Sequence, residues 1–147
     1  MWAAYNPYFH TLHPFNETLG PKDLKKQVKN YAISQGEAIL GDADFNGEKI
    51  NVSITAICEM ADPKSIKNSV SKEIHLGTIL KIKDIISNSI EVEVHPDYIE
   101  RDENGKRIVG KYNPNSLIHR LCGAVIVDDV PYPVRILVKE FRGVSSG

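Results

Sequence analysis

The chain has 147 residues, 41% of them hydrophobic and 25% charged, enough to bury a sizeable core in one compact soluble domain. Eighteen Lys and Arg against 19 Asp and Glu leave a formal net charge of −1, with a pI near 6.5, which argues against a globally basic nucleic-acid binder but permits a local basic patch. Cys58 and Cys122 are far apart and lack CxxC or Cys/His ligand spacing, so they read as buried thiols of a reducing compartment rather than a disulfide or zinc site.

The N-terminus has neither the basic region nor the continuous apolar core of a signal peptide, and no 18-residue apolar run occurs anywhere. The expectation is a protein with no membrane association, cytoplasmic or delivered into the cytoplasm of a host cell. The acceptor triplets Asn16-Glu17-Thr18 and Asn51-Val52-Ser53 matter only in a secreted chain. Residues 1–20, with Trp2, Tyr5, Tyr8, Phe9 and Phe15, are too aromatic for an inert linker and read as an arm packed on the domain or on a neighbouring chain. His10 and His13 invite a metal reading, but two histidines in an irregular segment without an acidic or thiol companion seldom make a site, and none is expected there.

Pro21 and Asp23 mark a helix start, and Leu24, Val28, Tyr31 and Ala32 form one apolar stripe, which predicts a helix over 21–34 ended by Gly36. A polar loop over 41–47 precedes a half-buried strand over 48–56, where Ile50, Val52 and Ile54 alternate with polar residues. Asp42, Asp44 and Asn46 imitate the opening of a calcium loop, but Ser53 occupies the position of its closing Glu, and calcium binding is discarded. Asp62-Pro63 opens a short helix through Val70. A longer one over 74–88 buries Leu76, Ile79, Leu80, Ile82, Ile85 and Ile86 while Lys81 and Lys83 face solvent. Ile90 to His95 alternates as a strand, with Ile90, Val92 and Val94 on one side and Glu91, Glu93 and His95 on the other. The polar segment 96–116, with its turn signal at 102–107, is either a mobile loop or the tip of a long hairpin.

Leu117 to Phe141 reads as a hairpin reversing at Asp128-Asp129. Val127 then faces Val130, which pairs Val125 with Tyr132, Gly123 with Val134, Leu121 with Ile136 and His119 with Val138 on a largely apolar, core-facing side. The opposite side carries Arg120, Arg135 and Lys139, a patch of like charge that needs a negative partner from the protein or from a ligand. If the 90–95 strand pairs beside the hairpin, Glu91 and Glu93 supply that partner as an ordinary ion-pair ladder, worth about 0.2 to 1 kcal/mol per exposed pair. Residues 143–147 read as a frayed tail. The element order, helix, strand, two helices, then three or more strands, argues an α+β fold: N-terminal helices packed on a small antiparallel sheet closed by a C-terminal hairpin, all within 21–142.

His119 lies diagonal to Glu140 in this register. A histidine oriented by a carboxylate can move protons in cleavage of RNA by its own 2′-hydroxyl while cations such as Arg120, Arg135 and Lys139 stabilise the phosphorus oxygens. The same histidine can instead be a stabilising hydrogen-bond partner. His95, before Pro96, either complements His119 as a second acid or base or caps its strand. His75 falls in the first turn of its helix, Tyr112 is a candidate for stacking on a base, and Tyr132 sits on the core face. No glycine-rich phosphate loop, Ser/His/Asp order, HExxH or paired-carboxylate motif is present, and no cofactor is expected.

Asp23-Leu24-Lys25-Lys26, Gly47-Glu48-Lys49-Ile50 leading into Val52-Ser53-Ile54, His75-Leu76, Ile86-Ser87-Asn88, His119-Arg120 and the run Tyr132 to Glu140 together resemble the large polyvalent-protein-associated domains over about residues 21–142. The resemblance implies a module of phages or conjugative elements, similar in layout to the barnase, EndoU and RelE class of metal-independent RNases. It implies family positions at His119, Arg120, Tyr132 and Arg135, with His75 and His95 on less specific parts of the pattern, and it supplies no unambiguous acid–base pair. The expected function is engagement of RNA or a host target through the cationic hairpin face, with Lys139 and Tyr112 binding substrate. The alternative is a noncatalytic accessory or inhibitory domain that docks a partner by its aromatic arm or hairpin edge.

Overall fold

The computed structural model describes residues 13–69, 71–99, 102–106, 108, 110–127 and 129–142. Proline at the first helical position and Asp23 in the first turn start α1 (Pro21–Gln35), whose residues Leu24, Val28 and Ala32, spaced four apart, are buried on one face. Gly36 ends it at φ +56 with its N–H on the Ala32 carbonyl, and a single 3₁₀ turn leads on to β1 (Gly41–Phe45).

The segment 41–47 is therefore a strand and a turn, not a polar loop. β1 pairs antiparallel with β2 (Glu48–Val52), Gly41 opposite Val52 and Phe45 opposite Glu48. Asn46 and Gly47 both adopt positive φ, +49 and +85, as a two-residue type I′ turn requires. The calcium-like alternation of acids is the period of a strand: Asp42 accepts from Asn51 at 3.2 Å, and Asp44 pairs with Lys49. The strand expected through Ala56 stops at Val52, because the Ser53 hydroxyl accepts the Ala56 N–H at 3.1 Å and caps α2 (Ile54–Met60). Ile57 and Ala61, one turn apart, are fully buried, so helical periodicity outweighs the β preference of Ile54 and Thr55.

Asp62 caps α3 (Pro63–Lys67) through the Lys64 N–H, as the Asp-Pro pair predicts, while Val70 lies outside the described residues. The single helix expected over 74–88 is two, α4 (Lys72–Leu80) and α5 (Ile82–Ser87). At Lys81 the chain tightens to an i→i+3 bond onto the Thr78 carbonyl, and Leu76, Ile79, Ile82, Ile85 and Ile86 remain buried across the break. Lys83 does not run free into solvent; its ammonium donates to the carbonyls of Glu37 and Leu40 at 2.7 and 3.2 Å.

The second half is antiparallel sheet, as expected for an α+β chain: β3 (Ile90–Tyr98), β4 (Tyr112–Val127) and β5 (Val130–Phe141), ordered β3-β4-β5. The segment after His95 is the tip of a long hairpin, with Tyr98 opposite Tyr112, Ile99 N–H on the Lys111 carbonyl and a turn closed by Asp102 and Lys106. Asp128 lies outside the described residues, and Asp129 stands at φ +64. The Arg142 N–H donates to the Asn115 carbonyl at 2.7 Å, and these two residues are opposite one another in the register that a two-residue loop at 128–129 dictates. On β5 the expected alternation is seen, Ile136 buried while Arg135, Leu137 and Lys139 are exposed; on the central strand β4 it blurs, since Ile118 and Ala124 are buried as well as Leu121 and Val125.

The described residues group into two compact units, one from the residues up to Ser89 with Gly123–Val134, the other from Ile90–Cys122 with the segment from Arg135 onward. The first holds most of the largest fully buried side chains, Leu24, Val28, Ile57, Leu76, Ile79, Ile85 and Val125, while Leu121 belongs to the second. Within it Gly123 is needed for close approach: a Cβ there would stand 2.5 Å from Ser89 Oγ and 3.1 Å from Ile85 Cγ2. Ser89 Oγ is itself bonded to the Ile85 carbonyl at 2.6 Å and cannot simply turn away. Gly123→Ala is expected to cost about 1 to 3 kcal/mol by overpacking, read as a lowered urea midpoint with an unchanged slope.

Candidate functional site

In the second unit one extra residue redistributes the charges. Glu91 is opposite Leu121 but Glu93 is opposite Arg120, so Val92 is a β-bulge. An unbroken strand would hold Glu91, Glu93 and His95 on one side; the bulge turns Glu91 to the face of His119 and leaves Glu93 and His95 with Arg120.

On the first face, His119 Nδ1 donates to Glu91 Oε1 at 2.5 Å and Nε2 to Glu140 Oε1 at 2.7 Å. Ionised carboxylates only accept, so when both glutamates are charged both ring nitrogens carry protons, and His119 joins β3 to β5 across the central strand as an imidazolium. The bond from Glu91 raises its pKa above 6.5 against the partial burial that lowers it, and Glu140 adds to the rise. Glu140 is held below its ordinary 4.5, first by His119 and then by Arg142, whose Nε lies 3.3 Å from Oε2. The His119 side chain keeps 24% of its surface exposed, so the cluster opens to solvent.

The stability these contacts confer depends on pH in both directions. A raised histidine pKa adds stability that is full below about 6.5 and lost as pH rises through the folded-state value; a depressed Glu140 adds stability full above about 4.5 and lost as pH falls through its own. Protection of β3 and β5 amides against hydrogen exchange is expected to peak between those limits in wild type, and the alkaline decline is expected to vanish in His119→Gln. A wild-type profile flat from weakly acidic to alkaline pH would contradict the clasp.

On the second face, the His95 Nδ1–H donates to the Pro96 carbonyl at 2.7 Å, so Nε2 is the bare nitrogen, and it accepts the Arg120 Nε–H at 2.9 Å. Arg120 also lies 3.7 Å from Glu93. Lys139 pairs with Asp97 at 3.0 Å, and Asp97 accepts from Ser116 at 2.8 Å, the hydroxyl first and then the ammonium drawing its pKa below 3.8. Of the cations on the hairpin's outer side, Arg120 and Lys139 thus have protein carboxylates as partners, while Arg135 is exposed with no ion pair among the described residues.

The structure therefore joins His119 with Glu140, as the diagonal suggests, and joins His95 with Arg120, but sets these two pairs on opposite faces. Arg120, Arg135 and Lys139 are not the cations beside His119; that cation is Arg142. Tyr112 is exposed at the end of β4, opposite Tyr98. Glu91, expected as a rung of the ion-pair ladder with the hairpin cations, instead bonds His119, and Arg142 was not singled out in the sequence reading. Arg142 was within reach of it, two positions from Glu140 and so on the same face of β5; the bulge that delivers Glu91 leaves no comparable trace in composition.

The other described histidines, His75 and His13, serve local structure. His75 Nε2 donates to the Met60 carbonyl at the end of α2, 2.6 Å away. His13 Nδ1 accepts the Phe15 N–H at 3.1 Å while Nε2 meets Glu17 at 3.0 Å; His10 lies outside the described residues. Among the described residues no group of three His, Cys, Asp or Glu is placed to hold a metal, and no helix is long and apolar enough to cross a membrane.

No curated protein and no solved structure matches the chain. The model of one family, described as large polyvalent protein-associated domain 3, matches residues 20–144. The chain belongs to that family, and is a polyvalent-protein module of mobile elements.

Proposed function

We propose that the second unit cleaves RNA without a metal, by attack of the 2′-hydroxyl on its own phosphate. The observation that carries this reading is the Glu91–His119–Glu140 cluster, a proton donor and a proton acceptor in contact, with an arginine beside them. Environments that push a histidine up and a carboxylate down assign the two roles at one pH. Substrate enters between His119 Nε2 and Glu140. Glu140 takes the 2′-hydroxyl proton, the oxygen attacks phosphorus, and the departing 5′-oxygen takes the Nε2 proton; a 2′,3′-cyclic phosphate and a 5′-hydroxyl result, and proton return through water restores the pair. Glu91 keeps its bond to Nδ1 and orients the ring, and Arg142 faces the charge gathering on the phosphorus oxygens. The likeness in layout to the barnase, EndoU and RelE class of RNases that the family resemblance implies favours the reading by analogy alone.

The test is incubation of a mixed RNA pool with the full chain in EDTA. Fragments ending in cyclic phosphate are expected, with 2′-O-methyl RNA left intact; an untouched pool, or cleavage only with added metal, sinks the proposal.

A second reading, a noncatalytic docking domain, draws support from β3, an edge strand with Ile90, Val92 and Val94 exposed. Such an edge suits addition of an extended peptide from a phage or host protein. Pull-down that survives His119→Ala but fails with Val94→Lys, together with an inert RNA assay, would favour it over cleavage.

A further inference from the structure

The face opposite His119 carries aromatic rings at one end of the second unit's sheet. His95 and Tyr98 stack with ring centroids 5.7 Å apart and planes 20° from parallel. Tyr98 is opposite Tyr112, 46% exposed, and at the end of β5 Phe141 is 75% exposed with Lys139 Nζ 5.4 Å from its centroid. Around these rings His95 is bonded to Arg120, and Asp97 is bonded to both Ser116 and Lys139. A phenylalanine ring this bare has one face available to another flat group.

We infer that this end of the sheet binds single-stranded RNA by base stacking, with the exposed rings of Phe141 and Tyr112 as the open platforms. The inference rests on the RNA-directed reading above and names the form of RNA it acts on. Charge decides how the ligand is held. Lys139 and Arg120 are already partnered by Asp97 and Glu93, leaving Arg135 as the cation of this face without an ion pair among the described residues. Stacking therefore carries the affinity, and few counterions are released on binding. A duplex hides its base faces and gains nothing from exposed rings.

Binding is measured on the full chain by fluorescence anisotropy with a short 2′-O-methyl oligonucleotide, which 2′-hydroxyl attack cannot cut. The single strand is expected to bind, with log K falling against log salt at a slope of about 0.7 to 1.4, that of one or two phosphates. Phe141→Ala is expected to weaken binding about 5- to 100-fold, the range of one lost base stack, whereas Phe141→Trp retains it. Phe141 is an exposed side chain, so unchanged circular dichroism is expected in both variants. No binding by wild type, equal affinity for a duplex, an indifferent Phe141→Ala or a slope of several phosphates each overturns the inference. Because the probe is uncleavable, loss of stacking and loss of catalysis are separable: an RNase that ignores the probe refutes only this inference, and a binder that leaves unmodified RNA intact refutes only the cleavage reading.

Discussion

Replacing His119 by Ala is expected to slow RNA cleavage in EDTA by about 10²- to 10⁴-fold, the range for a positioned acid or base. The loss should fall on kcat more than on KM, since the ring's proton is used in the transition state and the platforms that hold RNA lie on the other face. Glu140→Gln removes the acceptor of the same proton circuit while preserving shape, and is expected to cost a similar factor. The double variant should be little worse than either single one, because the groups act as a unit. Glu91→Gln keeps a hydrogen-bond acceptor for Nδ1 but removes the charge that raises the imidazolium's pKa, and so is expected to shift the alkaline limb of the rate profile downward rather than abolish the rate. A His119→Ala protein that cuts RNA at the wild-type rate would leave the cluster a purely structural clasp.

The largest expected effect on stability lies in the first unit. Ile85 is fully buried on α5, and its side chain lies beside Gly123 of β4. Ile85→Ala is expected to destabilise by about 2 to 5 kcal/mol, combining the lost transfer energy of the removed carbons with the cavity left behind. Ile85→Val should cost about 0.5 to 1.5 kcal/mol. Chemical denaturation followed by far-ultraviolet circular dichroism measures both. Near-equal costs for the two would mean that the site collapses around the vacancy and that β4 is not held close by this helix.

What the sequence disclosed divides along a physical line. Helix starts written in local chemistry were legible: Pro21 with Asp23, and Asp62 with Pro63. So were the antiparallel hairpin and its parity, because a two-residue reversal and a period of two leave one register. The errors came where two local rules compete. Ser53 is both the last polar residue of an alternating run and a helix cap, and burial of Ile57 and Ala61 decides for the cap. Asn46-Gly47 is a strong hairpin signal that the acidic alternation around it disguised as a calcium loop.

The candidate site was half legible for the same reason. The diagonal between His119 and Glu140 follows from register alone. The partners on β3 do not, since the bulge at Val92 is a choice of the folded sheet, and without it Glu91 would sit with Glu93 on the far side. One inserted residue thus separates an ion-pair ladder on one face from an acid–base cluster on the other.

The pH–rate profile of cleavage by the full chain in EDTA tests the assigned roles most directly. With Glu140 ionised and His119 protonated in the active form, kcat/KM is expected to trace a bell, its acid limb set by a carboxylate below its ordinary 4.5 and its alkaline limb by a histidine above 6.5. A rate that climbs steadily with pH through and beyond the histidine limb, or that keeps the same alkaline limb in His119→Ala, would contradict it.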